Sequence, residues 1–190
     1  MEERSEATLT SIVFIQGGGA GARDADAKLA DGLARDLGDD FPVDFPAMPD
    51  EDNPDYERWR PAIADAITRA TAPVVVVGHS LGGYVLIRYL SSEPIEVPIA
   101  ALCIIAAPFP SGDPAWVFEG FELPERFGER LPADAAVLLY ASEDDDTIPF
   151  AHRDLYAGAI PGAVTRTTSG GHQLGNDLRI VANDIRRIVG

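Results

Sequence analysis

The chain has 190 residues, 46% hydrophobic and 24% charged, which is typical of one globular domain around a single core, so we expect one domain over residues 1–190. Its 31 acidic and 15 basic residues give a net charge of −16, which repels phosphate backbones and argues against nucleic acid as a partner. Charge of this size either keeps a protein in solution or adapts it to a high-salt environment.

Short apolar runs rich in β-branched residues alternate with longer amphipathic segments along the chain. Such alternation indicates an α/β fold, a single layer of about six mainly parallel strands with helices on both faces. We predict strands at 10–16, 41–46, 73–78, 98–106, 136–142 and 163–168, and helices at 24–37, 56–70, 82–92, 150–158 and 175–188.

A glycine-rich loop follows the first predicted strand. Residues 17–22 read Gly-Gly-Gly-Ala-Gly-Ala, which satisfies the pattern G-x-G-x-x-A of dinucleotide-binding loops. A nucleotide-binding oxidoreductase is therefore one interpretation, with Asp44 near the position of a ribose-binding acid. No Gly-Lys-Ser/Thr follows the glycines, which excludes a P-loop. The dinucleotide interpretation uses this loop alone and leaves the later motifs without a role.

A serine stands between the third predicted strand and the helix after it. Four valines, Val74–Val77, lead into Gly-His-Ser-Leu-Gly at residues 78–82, and an apolar segment with helical spacing follows. The pattern G-x-S-x-G marks a nucleophile elbow when a strand enters it and a helix leaves it. Ser80 is thus predicted to be a nucleophile, with its hydroxyl above the sheet. The N–H of Leu81, at the helix N-terminus, is predicted to stabilise an oxyanion.

The chain has only three histidines that can serve Ser80 as a base. His172 lies in a glycine-rich loop between the last predicted strand and the last predicted helix, and it is the predicted base. His79 neighbours Ser80, but successive residues of a sharp turn point apart, so we expect it to line the substrate pocket or to pack. His152 falls at the start of a predicted helix and is expected on the surface.

Four consecutive acids, residues 143–146, follow the strand predicted at 136–142. One of them is expected to orient the imidazole and to stabilise the imidazolium that forms during attack. A calcium loop starting at Asp144 fits poorly, because its sixth and twelfth positions are Pro149 and Leu155 instead of the glycine and glutamate of an EF-hand. The other acids of the run are expected to be solvated.

These motifs together resemble the α/β-hydrolase-fold serine hydrolases, particularly the small members with almost no lid. The resemblance runs from Ile12 to the last helix, in the chain order serine, acid, histidine that is typical of this fold. In the family the acid usually lies four residues before a proline, which selects Asp145. Ser142 stands where the family more often has glycine, so Asp144 and Asp146 remain alternatives.

The resemblance also implies the surroundings of the nucleophile. Gly18 is the expected second oxyanion donor, and Gly19, the next candidate, is expected at the substrate. Larger relatives carry a lid where this chain has residues 107–136, a stretch with room for one or two short helices, so we expect a minimal lid. Its aromatic residues, Trp116 and Phe118 among them, either wall an acyl pocket or pack on the core.

The function implied by the resemblance is a serine hydrolase that cleaves a small carboxylic ester or thioester through an acyl-enzyme on Ser80. An acyltransferase or peptidase with the same residues, and a non-catalytic binding protein, stay open beside the nucleotide interpretation. No cofactor or metal is expected, because no Cys/His cluster occurs and the single cysteine, Cys103, lies in an apolar run suited to the core. Without a membrane-length apolar stretch or a signal peptide, we expect a cytoplasmic protein with a small acyl substrate and no membrane partner.

Overall fold

One sheet of six strands organises the computed structural model, which describes residues 9–111 and 114–190. The strands are β1 (Ser11–Ile15), β2 (Val43–Asp44), β3 (Val74–His79), β4 (Ile99–Ile105), β5 (Ala136–Ser142) and β6 (Val164–Thr168). Their order across the sheet is β2-β1-β3-β4-β5-β6, and every neighbouring pair is parallel. The predicted α/β architecture is confirmed.

Five helices in the described part of the chain cover both faces of this sheet. They are α1 (Ala22–Leu37), α2 (Tyr56–Arg69), α3 (Leu81–Ser92), α4 (Ala151–Ala159) and α5 (Arg179–Val189). Because successive strand residues point to opposite faces, Val75 and Val77 of β3 pack with α1 and α5, whereas Val74 and Val76 join α2, α3 and α4. Within residues 9–111 and 114–190, no helix combines the length and the apolar character needed to cross a bilayer.

Two elements differ from their predicted bounds. The second strand, expected over 41–46, pairs only at Val43–Asp44, since the flanking Pro42 and Pro46 have no N–H to donate to the sheet. The last helix, expected from residue 175, begins at Arg179, because Gly175 and Asn176 adopt positive φ angles of 60° and 59° that interrupt a helix. Both deviations come from residues that break the regular backbone.

The segment between β4 and β5 is the predicted minimal lid. In its described part it contains two single 3₁₀ turns, Pro114–Trp116 and Phe127–Glu129. Phe121 and Phe127 are buried, and their rings pack edge-on against Tyr56 at 6.1 Å and Tyr156 at 6.2 Å, respectively. Some aromatic side chains of this segment therefore pack in the core.

Cys103, the single cysteine of the sequence, is buried in β4. The prediction of a core position is confirmed. Desolvation by burial raises the pKa of its thiol to about 12, so the thiol stays protonated at neutral pH. Because the thiolate is the reactive form of cysteine, this residue contributes packing rather than chemistry.

Close backbone packing at the start of α3 explains the glycines around Ser80. A Cβ atom on Gly78 would lie 2.6 Å from Cα of Gly83. One on Gly82 would overlap the carbonyl oxygens of Ile15 and Gln16 at the end of β1. The first turn of α3 therefore rests directly on the carboxyl ends of β1 and β3, and this contact brings Ser80 next to the loop that follows β1.

We expect Gly82→Ala to destabilise the fold by about 1–3 kcal/mol, because the new methyl group meets backbone atoms that have no room to move. Gly158→Ala in α4 is the matched control, since no atom lies within 4 Å of its added Cβ. That change is expected to stabilise the protein by a few tenths to about 1 kcal/mol through helix propensity. Urea unfolding of both variants measures the difference, and equal stabilities would contradict the packing argument.

Candidate active site

Ser80 occupies a strained turn between a strand and a helix. It lies between the end of β3 and the start of α3 with φ 53° and ψ −125°, in a region that non-glycine residues rarely adopt. Its N–H donates to the carbonyl of Ile105 (2.8 Å), and its own carbonyl accepts from the N–H of Gly83 (3.0 Å). Ser80 borders an open, largely apolar cleft of about 410 Å³, which is also lined by Gly18, Pro54, Leu81, Trp116, Phe118, Glu119, Phe121 and Ile148.

The structure brings His172 and Asp145 together. Nδ1 of His172 lies 2.9 Å from Oδ2 of Asp145, whose side chain is only 1% exposed. The second oxygen, Oδ1, accepts from the N–H groups of Thr147 (2.8 Å) and Ile148 (2.9 Å), which fixes the carboxyl group. Asp144 instead accepts from the N–H of Gly170 at 3.1 Å. Of the predicted alternatives, it is thus Asp145 that contacts the imidazole.

This pairing determines which nitrogen of the His172 ring carries the proton. An ionised carboxylate only accepts hydrogen bonds, so Nδ1 carries the proton and Nε2 keeps a free lone pair. The His172 ring packs against the ring of His79 with centroids 4.7 Å apart, and His79 directly precedes Ser80 in the chain. Within the described residues no hydrogen bond joins Ser80 to His172. Such bonds are often long without substrate and tighten when it binds.

The backbone N–H groups of Gly18 and Leu81, both at the cleft, have no acceptor among the described residues. Their neighbours in the glycine loop are occupied, since the N–H of Gly17 donates to Oδ2 of Asp26 (2.7 Å) and that of Gly19 to the carbonyl of Glu51 (2.6 Å). Leu81 is the first residue of α3, where N–H groups have no partner within the helix and the dipole favours negative charge. The two free donors line the same cleft as Ser80.

The glycine loop does not offer the anion site that a dinucleotide requires. Oε1 of Glu51 accepts from the N–H of Gly21 (3.1 Å), and Oε2 accepts from the N–H of Arg23 (2.7 Å). A carboxylate of the protein itself therefore occupies the N-terminus of α1, where a pyrophosphate would bind. Across residues 9–111 and 114–190, no three His, Cys, Asp or Glu side chains group as metal ligands.

The other predicted site residues divide between the cleft and the core. Trp116 and Phe118 line the cleft, whereas Gly19 does not. His79 is buried at 1% exposure with both ring nitrogens bonded inside the protein, so it does not reach the cleft. The prediction of a surface position for His152 is wrong, because its ring is 5% exposed, accepts from the N–H of Phe109 (2.9 Å) and packs edge-on against Trp116.

Sequence reasoning missed the buried acid next to the nucleophile, Asp26. Its carboxylate bonds His79 and Gly17 and is 1% exposed. A signal was present in the sequence, since Asp26 precedes Leu29 and Leu33 at helical spacing and so lies on the apolar stripe of α1. An acid on a core-facing stripe needs a hydrogen-bonding partner inside the protein.

The surroundings of His172 favour its neutral form. Burial lowers the pKa of the imidazole most, and the nearby His79 lowers it further. The hydrogen bond and the charge of Asp145 raise the pKa, but they do not restore it to the ordinary value of 6.5. His172 is therefore an unprotonated acceptor at neutral pH, the state that a general base requires.

Comparison with known proteins now identifies the family. Residues 12–168 match the sequence model of the Alpha/beta hydrolase family. The chain belongs to this family. No curated protein sequence matches it.

Solved structures of low sequence identity share the fold of this hydrolase. The ydeN gene product from B. subtilis superposes with a TM-score of 0.72 at 19% identity, covering 95% of this chain and 98% of that one. The esterase domain of a Rhodothermus marinus protein gives a TM-score of 0.70 at 16% identity, covering 100% of this chain and 91% of that one. The expected hydrolase family is confirmed.

We expect the His172 ring to titrate with a midpoint below pH 6.5, because burial and the neighbouring His79 both oppose its protonation. Two-dimensional NMR of the imidazole resonances as a function of pH measures this midpoint. A short unstructured peptide containing histidine, titrated in the same buffer, supplies the reference. A His172 midpoint at or above that of the peptide would contradict the argument.

Proposed function

We propose that this α/β hydrolase is a serine hydrolase that cleaves a small carboxylic ester or thioester through an acyl-enzyme on Ser80. The observation that carries the proposal is the position of Ser80, in a strained turn at an apolar cleft that is also lined by Gly18 and Leu81 with their free N–H groups. The paired Asp145 and His172 add the proton acceptor that an alcohol needs to become a nucleophile.

In the first half of the reaction, Oγ of Ser80 attacks the acyl carbon while its proton moves to Nε2 of His172. The charge that forms on the carbonyl oxygen is stabilised by the N–H groups of Gly18 and Leu81, which are already in place. Asp145 holds the imidazole and stabilises its positive charge. His172 then gives the proton to the leaving oxygen or sulfur, and the acyl group remains as an ester on Ser80.

In the second half, water attacks this ester and His172 accepts its proton. The same N–H groups hold the second oxyanion, and collapse of the intermediate returns the proton to Oγ of Ser80. The cleft is open to solvent, so water reaches the acyl-enzyme without displacement of a lid. This access favours hydrolysis over transfer to another acceptor.

The lining of the cleft favours a small, uncharged acyl group. Trp116, Phe118 and Phe121 provide apolar walls, while the exposed Glu119 lies at the same cleft. With a net charge of −16, the protein repels anionic substrates as they approach. Among the structural relatives, the Rhodothermus marinus domain is described as an esterase, and LipS and LipT as lipolytic enzymes.

A fluorophosphonate probe is expected to label Ser80 alone, because an elbow serine with a base is far more reactive than a surface serine. Ser80→Ala should abolish labelling, and Asp145→Asn should lower kcat by about 10⁴ by favouring the wrong tautomer of His172. Mass mapping of the labelled peptide and steady-state kinetics measure the two effects.

The matched control is Asp146→Asn, which makes the same change in an exposed neighbour whose carboxylate accepts from the hydroxyl of Thr147. It should alter kcat by less than about tenfold, as expected for a surface substitution that leaves the histidine in place. Stoichiometric labelling of a different serine, or an Asp146→Asn variant as impaired as Asp145→Asn, would refute the assignment of the three residues.

We expect acyl chains of about two to six carbons to be preferred. Each methylene adds about 0.8 kcal/mol to binding only where walls bury it, and an open cleft buries few of them. Hydrolysis of nitrophenyl acetate, butyrate, octanoate and palmitate below their micelle concentrations measures the preference as kcat/KM. Phe118→Ala removes one wall of the cleft. It should therefore reduce the increase in kcat/KM from nitrophenyl acetate to nitrophenyl butyrate. An optimum at eight carbons or more would mean that the aromatic residues enclose a long acyl groove.

A further inference from the structure

A second aspartate–histidine pair lies directly behind the nucleophile. Nδ1 of His79, the last residue of β3, lies 2.9 Å from Oδ1 and 3.0 Å from Oδ2 of Asp26 on α1. Both residues are only 1% exposed. Neither contacts the cleft, and the reaction described above gives them no part.

The partners of the His79 ring decide how many protons it carries. Its Nε2 lies 2.9 Å from the backbone carbonyl oxygen of His172, and a carbonyl only accepts hydrogen bonds. Its Nδ1 faces a carboxylate that already accepts from the N–H of Gly17 (2.7 Å) and from Nε2 of Gln173 (3.1 Å). A neutral imidazole has one donor, whereas this ring has an acceptor at each nitrogen.

We propose that His79 is held as an imidazolium by Asp26 and acts as a positioning residue for His172. Through Nε2–H it holds the backbone of His172 beside the elbow, and its positive charge keeps the His172 ring neutral. The inference rests on the proposed role of His172 as the base. It gives His79 a positioning function in place of the predicted contact with substrate.

The charges around the two rings agree with this arrangement. Among the described residues, the titratable groups in contact with His79 are Asp26 and His172, and Asp145 in turn contacts His172. Burial alone would raise the pKa of Asp26, but the hydrogen bond and charge of His79, with the donors of Gly17 and Gln173, bring it below the ordinary value. The Asp26 carboxylate therefore faces Nδ1 of His79 as an acceptor, as the His172 carbonyl faces Nε2.

The Asp26 carboxylate also connects the three segments on which the proposed reaction depends. It accepts from Gly17 in the loop that carries Gly18, from His79 at the elbow, and from Gln173 in the loop that carries His172. These segments are distant in sequence, and the carboxylate gives them one common partner. A shift of any one of them would leave a buried charge with an unfilled hydrogen bond, which is costly.

The first test uses the unaltered protein and needs no activity. With three histidines in the chain, ¹⁵N NMR resolves each ring, and variants at His79 and His152 assign the signals. At pH 7 both nitrogens of His79 should carry protons, while His172 should carry one on Nδ1. A neutral His79 at pH 7 would overturn the proposal.

The second test separates the charge of His79 from its hydrogen bond. His79→Gln keeps a donor near the position of Nε2 but removes the positive charge. The pH midpoint of the His172 titration, measured by NMR, should therefore rise. The acidic limb of the kcat/KM profile should move to higher pH by the same amount. His79→Asn has a side chain too short to reach the His172 carbonyl, so kcat should fall on the order of 10²-fold with little change in KM.

Asp184→Asn is the matched control, a buried carboxylate on α5 that binds Arg166 (2.8 Å) and Tyr140 (3.1 Å) away from the cleft. It should reduce stability without moving the His172 midpoint. An unchanged midpoint in His79→Gln, or an equal shift in Asp184→Asn, would overturn the proposal. Because the NMR midpoints are independent of turnover, they test His79 even if probe labelling were to refute the role of Ser80.

Discussion

The contact between the first turn of α3 and the ends of β1 and β3 is the constraint on which the candidate site depends. With no side chain at Gly78 or Gly82, the helix backbone rests directly on the strands. This contact holds Ser80 at a positive φ and leaves the N–H of Leu81 free at the cleft. The strain of about 1–3 kcal/mol typical of such a residue is offset by the packing around it.

Backbone N–H groups stabilise the carboxylates around this elbow. Asp145 accepts from two of them, Asp26 from that of Gly17, and Glu51 from those of Gly21 and Arg23. In a protein with 31 acidic and 15 basic residues, amide donors add to the stabilisation of these carboxylates, and each acid thereby fixes the loop that donates to it. These bonds occupy the N–H groups of Gly17 and Gly21, whereas that of Gly18 has no acceptor among the described residues.

The segment between β4 and β5 links the core to the cleft. Phe121 packs against Tyr56 and also lines the cleft, while Trp116 packs on the buried His152 and lines the same cleft. The walls of the cleft are thus extensions of the core rather than a separate lid. A preference for small substrates follows from the short length of this segment and from its anchoring to the core.

The sequence by itself determined the parallel sheet, because buried strands and the glycines that end them are local patterns. The family resemblance, through the spacing to a proline, selected Asp145 as the acid expected to contact His172, and this contact is present. The sequence did not determine the Asp26–His79 pair or the burial of His152, and only the tertiary structure decided these. Asp26 and His79 lie 53 residues apart, and their contact exists only once α1 packs against the end of β3. A buried polar group needs hydrogen-bond partners. When those partners lie in segments that are distant in sequence, only the packing of the segments brings them together.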